Sequence, residues 1–242
     1  TTAEADGKWQ VKLAPLKASA QPAILKVAGS ETISVADVLV GEVWFCSGQS
    51  NMAWPMARIA NASEENAKAD KPVIRHFMPP RKYAPVPAND VAATWVKTSP
   101  STIEKQSAVA YMFGRRLHEA LNNVPIGLIN SSWGGTRIEP WTPTCGFRGI
   151  PALESILRRV ETADPEADLH KATLDKYIGE LNNWIDAARK LNSVKKPLIP
   201  APSFPANLVF ESGQRASHQQ PTVLYNGMVA GIVPYAIKGA IW

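Results

Sequence analysis

Cysteine is nearly absent from this chain of 242 residues, which has only Cys46 and Cys145. That excludes a disulfide-stapled scaffold, and the wide separation of the two excludes a thiolate metal site. Cys46 follows Trp44-Phe45 and reads as a buried free thiol. Long apolar runs are also missing, so no membrane span is expected. The N-terminus Thr1-Thr-Ala-Glu-Ala-Asp6 is too polar for a signal peptide, although a chain that has lost its leader reads the same way. The formal charge is +5, but Lys and Arg never run longer than a pair. This is a solvated surface and not a nucleic-acid face. There is no His/Cys/Asp cluster and no phosphate-binding glycine loop, so neither metal nor cofactor is expected.

What is present is ordinary for a soluble globular protein: 45% hydrophobic and 19% charged residues. The length suits one large domain, or one domain with an appendage. The most informative stretch is Asp37-Val-Leu-Val-Gly-Glu-Val-Trp-Phe-Cys-Ser-Gly-Gln-Ser-Asn-Met52. Its valine- and aromatic-rich half has the composition of a strand buried on both faces, and it breaks into small polar residues at Ser47-Gly48-Gln49-Ser50-Asn51. In open parallel sheets, ligands bind beyond the carboxyl ends of such strands. Ser50 is therefore the candidate nucleophile, and backbone N–H groups around it are candidate oxyanion donors. The Gly-x-Ser-x-Gly elbow is not what marks it, because Asn51-Met52 follows the serine.

Along the chain, Lys8–Leu13, Ala23–Val27 and Thr32–Val35 carry a strand pattern after a turn at Asp6-Gly7. Residues 61–70 can cap and form a short helix, and Val73–Phe77 is the next strand. Residues 79–100 read as a long loop interrupted by Trp95-Val96. Ser101 to Asn122 reads as a helix with Ser101 as cap and Glu104 completing a capping box, its stripe running through Val109, Met112, Phe113, Leu117 and Leu121. Pro125–Asn130 follows as a buried strand, completing a strand–helix–strand crossover. The pattern from Pro151 to Asn192 is helical, and Lys195 to Pro221 reads as an irregular loop.

Three stretches identify a family. They are Gly41–Met52, Pro125–Thr136 continuing to Glu139-Pro-Trp141, and Pro221–Met228 continuing to Ile237–Trp242. In this order they resemble the sialate O-acetylesterases, a carbohydrate-esterase branch of the SGNH hydrolases. The resemblance implies an α/β three-layer α/β/α (flavodoxin-like) parallel sheet over residues 36–242, with a helical insertion at about 151–192. It also implies that residues 1–35 are a remnant of an N-terminal β-sandwich domain. The expected activity is a serine esterase removing O-acetyl groups from carbohydrates, in a secreted or periplasmic setting. O-acetylated sialic acids are the first substrate class, and acetylxylan or other plant polysaccharides the alternative.

In the family, the Ser131-Ser-Trp-Gly-Gly-Thr136 block supplies a glycine oxyanion donor, which falls on Gly134 or Gly135; read without the family, two glycines after a strand are a backbone device. Gln49, Asn51, Trp133, Arg137 and Glu139 are candidate substrate contacts. Arg137 suits either a substrate carboxylate or an internal ion pair. Trp54, Trp133 and Trp141 suit either a sugar platform or core packing. The base is not visible. Of the four histidines, His76, His118, His170 and His218, none lies in the Asp-x-x-His arrangement of SGNH hydrolases. Only His218 lies in a loop able to approach the site. The chain thus resembles a fragment lacking the later catalytic blocks, with a second chain expected to supply the histidine and aspartate. On its own it reads as either an incomplete enzyme or a catalytically silent carbohydrate-binding fragment.

Overall fold

The computed structural model describes residues 1–5, 7–208 and 217–242. Asp6 of the turn expected at Asp6-Gly7 and part of the loop expected before Pro221 therefore lie outside the described residues, while Gly7 has a φ of +80° and donates its N–H to Glu4 O at 2.9 Å. The chain divides into two compact units, the first formed by residues 1–79, 93–134 and 235–242, the second by 80–92 and 135–234.

The first unit opens with an antiparallel hairpin, β1 (Ser19–Ala28) and β2 (Thr32–Val40), whose second strand runs through Val35. Lys8–Leu13, expected as a strand, is irregular. At Asp37 the backbone turns through a positive φ of 59°. Arg75 and Lys97 hold this residue's carboxylate at 2.8 and 2.9 Å. Aspartate tolerates the left-handed region better than most side chains, and two cations on one carboxylate keep it there.

The chain then enters β3 (Glu42–Gly48), passes through a short α1 (Ala62–Ala67), and continues with β4 (Lys71–Phe77) and β5 (Trp95–Thr98). Helix α2 (Ala108–Ala120), β6 (Ile126–Ser132) and β7 (Gly239–Ile241) complete the unit. The sheet order is β5-β4-β6-β3-β7. Its last four strands are parallel, and β5 pairs antiparallel to β4 at the edge. The expected α/β class and parallel sheet are present, with Trp95-Val96 supplying the antiparallel strand.

Helix α2 differs from its sequence reading at its start and in part of its stripe. It begins at Ala108, with Ser107 as its cap: Ser107 Oγ accepts the Ala110 N–H at 3.1 Å. Ser101 instead lies before a 3₁₀ turn, Ile103–Lys105. The buried face is Ala108, Ala110, Tyr111, Gly114 and His118, whereas Val109 is exposed. A Cβ on Gly114 would come within 2.8 Å of the Leu128 side chain on β6, so small residues bring the helix close to the sheet. Of the expected stripe, Met112, Phe113 and Leu117 are half-buried and pack against the core, while the fully buried positions lie beside them. Cys46, Ile74, Tyr111, Ile126 and Leu128 are in the core this face covers.

In the second unit, α3 (Glu154–Ala163) and α4 (Asp168–Ser193) occupy the region expected to be helical. Leu157 and Val160 of α3 are buried with Phe147. Helix α4 has no fully buried residue, and its Ile178 and Ile185 are exposed. Helix α5 (Val223–Met228) is buried almost throughout. Its Asn226 amide donates to the carbonyls of Ala84 and Pro85 at 3.3 and 3.0 Å, fixing the proline-rich segment 80–92.

Candidate active site

β3 and β6 are adjacent and parallel, and their register pairs Gly48 with Ser132. From their carboxyl ends the chain leaves in opposite directions along the sheet, from β3 toward β4 and from β6 toward β7. Such a switch point opens a crevice beyond the two strand ends. Ser50 lies two residues past Gly48 and Gly134 two residues past Ser132, so the register that aligns the strands also brings these two together. A Cβ built on Gly134 would stand 3.4 Å from Ser50 Cα and 3.5 Å from Ser50 Cβ. Gly135 differs: its φ is +79° and nothing lies within 4 Å of a Cβ there. One glycine is open toward the serine, and the other permits the turn.

After β3 the chain makes one tight turn, with the Ala53 N–H donating to Gln49 O at 2.9 Å. Ser50 is exposed on it. Its Oγ–H donates to Gln49 Oε1 at 2.9 Å, and its N–H donates to the same oxygen at 3.0 Å. Asn51 is exposed and its carbonyl accepts the Trp54 N–H. The Trp133 N–H donates to Gly48 O at 3.2 Å, tying the two strand ends together.

Beneath the turn lies a buried polar layer that sequence reasoning did not single out. Ser47 Oγ donates to Ser131 O at 2.7 Å, and Ser132 Oγ donates to Asn130 Oδ1 at 2.9 Å. Asn130 Nδ2 reaches Met52 O at 3.5 Å. All four side chains are buried. Buried polar groups joined in this way fix both strand ends rigidly. The available signal was Asn130-Ser-Ser132 closing an otherwise apolar strand.

The three tryptophans diverge. Trp141 is buried in the second unit, and its indole N–H donates to Thr136 Oγ1 at 2.9 Å, which is core packing. Trp54 is exposed, but the Arg58 guanidinium lies over its ring at 5.8 Å. Trp133 is half-buried. Arg137 and Glu139 are in the second unit. They form no ion pair with each other: the Arg137 N–H donates to Gln219 Oε1, and Glu139 O accepts the Thr222 N–H.

The family model of the carbohydrate esterases described as sialic acid-specific acetylesterases matches residues 40–199, about two thirds of the chain. The chain belongs to this family. The sialate O-acetylesterase of Rattus norvegicus is 37% identical over 250 residues, covering 97% of this chain and 41% of that protein. The Homo sapiens sialate O-acetylesterase is 38% identical over 166 residues, covering 61% of this chain and 31% of its own length. The crystal structure of a carbohydrate acetylesterase from Xanthomonas citri superposes with a TM-score of 0.66 at 27% identity, covering 99% of this chain and 40% of that one. The chain therefore spans about a third to two fifths of the length of these relatives.

As a member of this family the chain has its serine and glycine apposed, but among the described residues no histidine or carboxylate hydrogen-bonds Ser50. His76 is buried on β4, and burial lowers its pKa to about 4. His118 Nδ1 lies 2.7 Å from Val124 O, and His170 Nδ1 lies 2.8 Å from Thr162 O. His218 lies in the second unit beside Gln219. Burial pushes the Cys46 thiol up to about 12, which makes it unreactive. No helix among the described residues is long and apolar enough to cross a membrane.

Proposed function

We propose that this chain carries the nucleophile and part of the oxyanion hole of a carbohydrate O-acetylesterase acting on O-acetylated sialic acids. The observation that supports it most directly is the apposition of Gly134 and Ser50 across the β3–β6 switch point. Ser50 Oγ attacks the acetyl carbonyl carbon while its proton passes to a general base. The carbonyl oxygen becomes an oxyanion and accepts N–H bonds from Gly134 and, once Gln49 releases it, from Ser50 itself. Collapse breaks the ester bond. The sugar oxygen leaves with the proton held by the base, and acetyl-Ser50 remains. Water then attacks with the same base, releasing acetate and restoring the serine.

Gln49, Asn51 and Trp133 lie at the same strand ends and are the proposed substrate contacts. The base is proposed to come from a histidine–aspartate pair on a second polypeptide. A secreted or periplasmic location fits a glycan substrate.

The test is labelling with a fluorophosphonate, which reacts only with activated serines, followed by peptide mapping and acetate assays on O-acetylated N-acetylneuraminate and acetyl-xylan. Labelling on Ser50, its loss in Ser50→Ala, and acetate release from the sialic acid support the proposal. Labelling elsewhere overturns the assignment of Ser50, and release from acetyl-xylan alone overturns the substrate.

A further inference from the structure

Helix α4 ends in a reversal that folds the following chain back along it. The Lys195 N–H donates to Asn192 O at 3.1 Å and the Lys196 N–H to Leu191 O at 2.9 Å. Lys195 turns the chain at a φ of 54°, the left-handed position that helix ends usually give to glycine. Further on, the Trp184 indole N–H donates to Ile199 O at 2.9 Å, and the Phe204 ring packs edge-on against Tyr177 with centroids 5.2 Å apart. Leu191, Trp184 and Tyr177 follow one another at intervals of seven residues, close to two helical turns, so one face of α4 anchors the returning chain at three levels. Pro197, Pro200, Pro202 and Pro205 stiffen that chain in an extended form.

The anchored ledge presents apolar side chains to solvent. Val194 at the reversal is 61% exposed, and Leu198 and Ile199 on the returning segment are 57% and 52% exposed. Single exposed aliphatic residues are ordinary, but three within one short anchored segment form the kind of patch that marks an interaction surface. The charge around them is of one sign. Residues 187–208 include Arg189, Lys190, Lys195 and Lys196 and no aspartate or glutamate. Arg189 is engaged by Asp186 at 3.6 Å, and Lys190, Lys195 and Lys196 are all exposed. The helix dipole favours cations at a carboxyl end, which accounts for lysines there but not for the aliphatic side chains set between them. Aliphatic groups interleaved with lysines match the boundary of an anionic bilayer, where apolar side chains enter the headgroup region and ammonium groups meet its negative charge. Nucleic acids are held by stacking aromatics and arginine forks, a different pairing from this one.

We infer that the end of α4 and the segment returning along it form a peripheral docking surface for a lipid bilayer with anionic headgroups. Val194, Leu198 and Ile199 enter the headgroup boundary, and Lys190, Lys195 and Lys196 lie against the charged surface. The contact lies on the membrane and does not cross it. It uses no residue of the candidate active site and is independent of the esterase reading.

The test is co-sedimentation of the whole chain with unilamellar vesicles of phosphatidylcholine alone or with about 30% phosphatidylserine, at about 0.1 M and about 0.5 M salt. Partition onto the anionic vesicles is expected to be at least about tenfold stronger at the lower salt, with most of that preference lost at the higher. A triple variant, Lys190→Gln, Lys195→Gln and Lys196→Gln, is expected to lose the preference, at about fivefold per lysine. Lys171→Gln with Lys176→Gln, toward the other end of α4, is expected to bind as the parent does, which separates this patch from the chain's overall charge of +5. Val194→Ser, Leu198→Ser and Ile199→Ser together are expected to weaken partition at least about tenfold at unchanged charge. Ser50→Ala is expected to bind vesicles as the parent does, so failure of the esterase reading and failure of this surface give different results. Equal partition onto both vesicles, undiminished partition in the lysine variant, or retention on an acidic polypeptide without vesicle binding would overturn the inference. The comparison of the two vesicle compositions on the unaltered chain stands even if a variant does not fold.

Discussion

Ser50 and Gln49 share one oxygen: both the hydroxyl and the backbone N–H of the serine donate to Gln49 Oε1, at 2.9 and 3.0 Å. An amide oxygen is too weak a base to take the serine proton, so Gln49 positions Ser50 and does not activate it. It also occupies an N–H that the proposed oxyanion requires. Gln49→Ala is therefore expected to raise the second-order rate of fluorophosphonate labelling of Ser50 by up to about fivefold, the equivalent of one neutral hydrogen bond of about 1 kcal/mol. A tenfold fall in a stopped-time labelling series would show instead that Gln49 holds the productive serine rotamer.

Gly134 and Gly135 are adjacent but should respond differently to alanine. At Gly134 a methyl group meets Ser50 at 3.4 to 3.5 Å, an ordinary contact, so the fold should tolerate it. That methyl covers the side from which the acyl group would be received. Gly134→Ala is expected to keep its melting temperature within a few degrees while labelling of Ser50 drops at least about tenfold, consistent with one lost oxyanion contact. Gly135→Ala is expected to lose about 1 kcal/mol of stability, because its φ of +79° is costly for any L side chain. Thermal denaturation and labelling measured on both variants check the pair, and the reverse pattern would exchange their roles.

Two groups in the first unit predict how stability falls with acid. His76 is buried with no hydrogen-bond partner on either ring nitrogen, and burial lowers its pKa to about 4 from an ordinary 6.5. The unfolded chain therefore binds this proton first. Its stability contribution is full above pH 6.5 and is lost as pH falls toward 4, about 3 kcal/mol in all. Asp37 acts in a lower window. The hydrogen bonds from Lys97 and Arg75 hold its carboxyl below 3.8, so its contribution is present above that value and fades as pH falls further. His76→Leu is expected to flatten urea-derived stability between pH 6.5 and 4, and Asp37→Asn to alter only the limb below pH 4. An unchanged slope in His76→Leu would place the acid transition elsewhere.

Much of the candidate site was legible because its signals are local. A strand ending in Ser-Gly-Gln-Ser and another ending in Gly-Gly mark two strand ends, and Ser50 with Gly134 is where they meet. The sequence left Gly134 and Gly135 equivalent, because only the β3–β6 register separates the glycine facing the serine from the one making the turn. Among the folded elements, β5 was obscured by flanking prolines, and the large residues Met112, Phe113 and Leu117 marked only the half-buried margin of α2, whose buried face is Ala108, Ala110, Tyr111, Gly114 and His118.

The start of α2 provides a quantitative check on this difference. Sequence favours Ser101, with Glu104 in capping-box position, but there the chain is occupied differently: Thr102 Oγ1 donates to Lys97 O at 2.7 Å and accepts the Ser99 N–H at 2.9 Å. Those bonds fold residues 99–105 into turns, and the first free helical N–H groups appear only after Gln106. Ser107 supplies the acceptor, and its own hydroxyl proton points to Met52 Sδ at 3.6 Å, linking the cap to the segment that carries Ser50. Ser107→Ala should therefore cost about 1 kcal/mol, the usual loss of a serine cap, whereas Ser101→Ala should change stability by less than about 0.5 kcal/mol. Urea unfolding of the two variants under identical conditions decides between the sites. Equal losses would mean that the helix extends toward Ser101 in solution, and a larger loss at Ser101 would restore the reading from sequence.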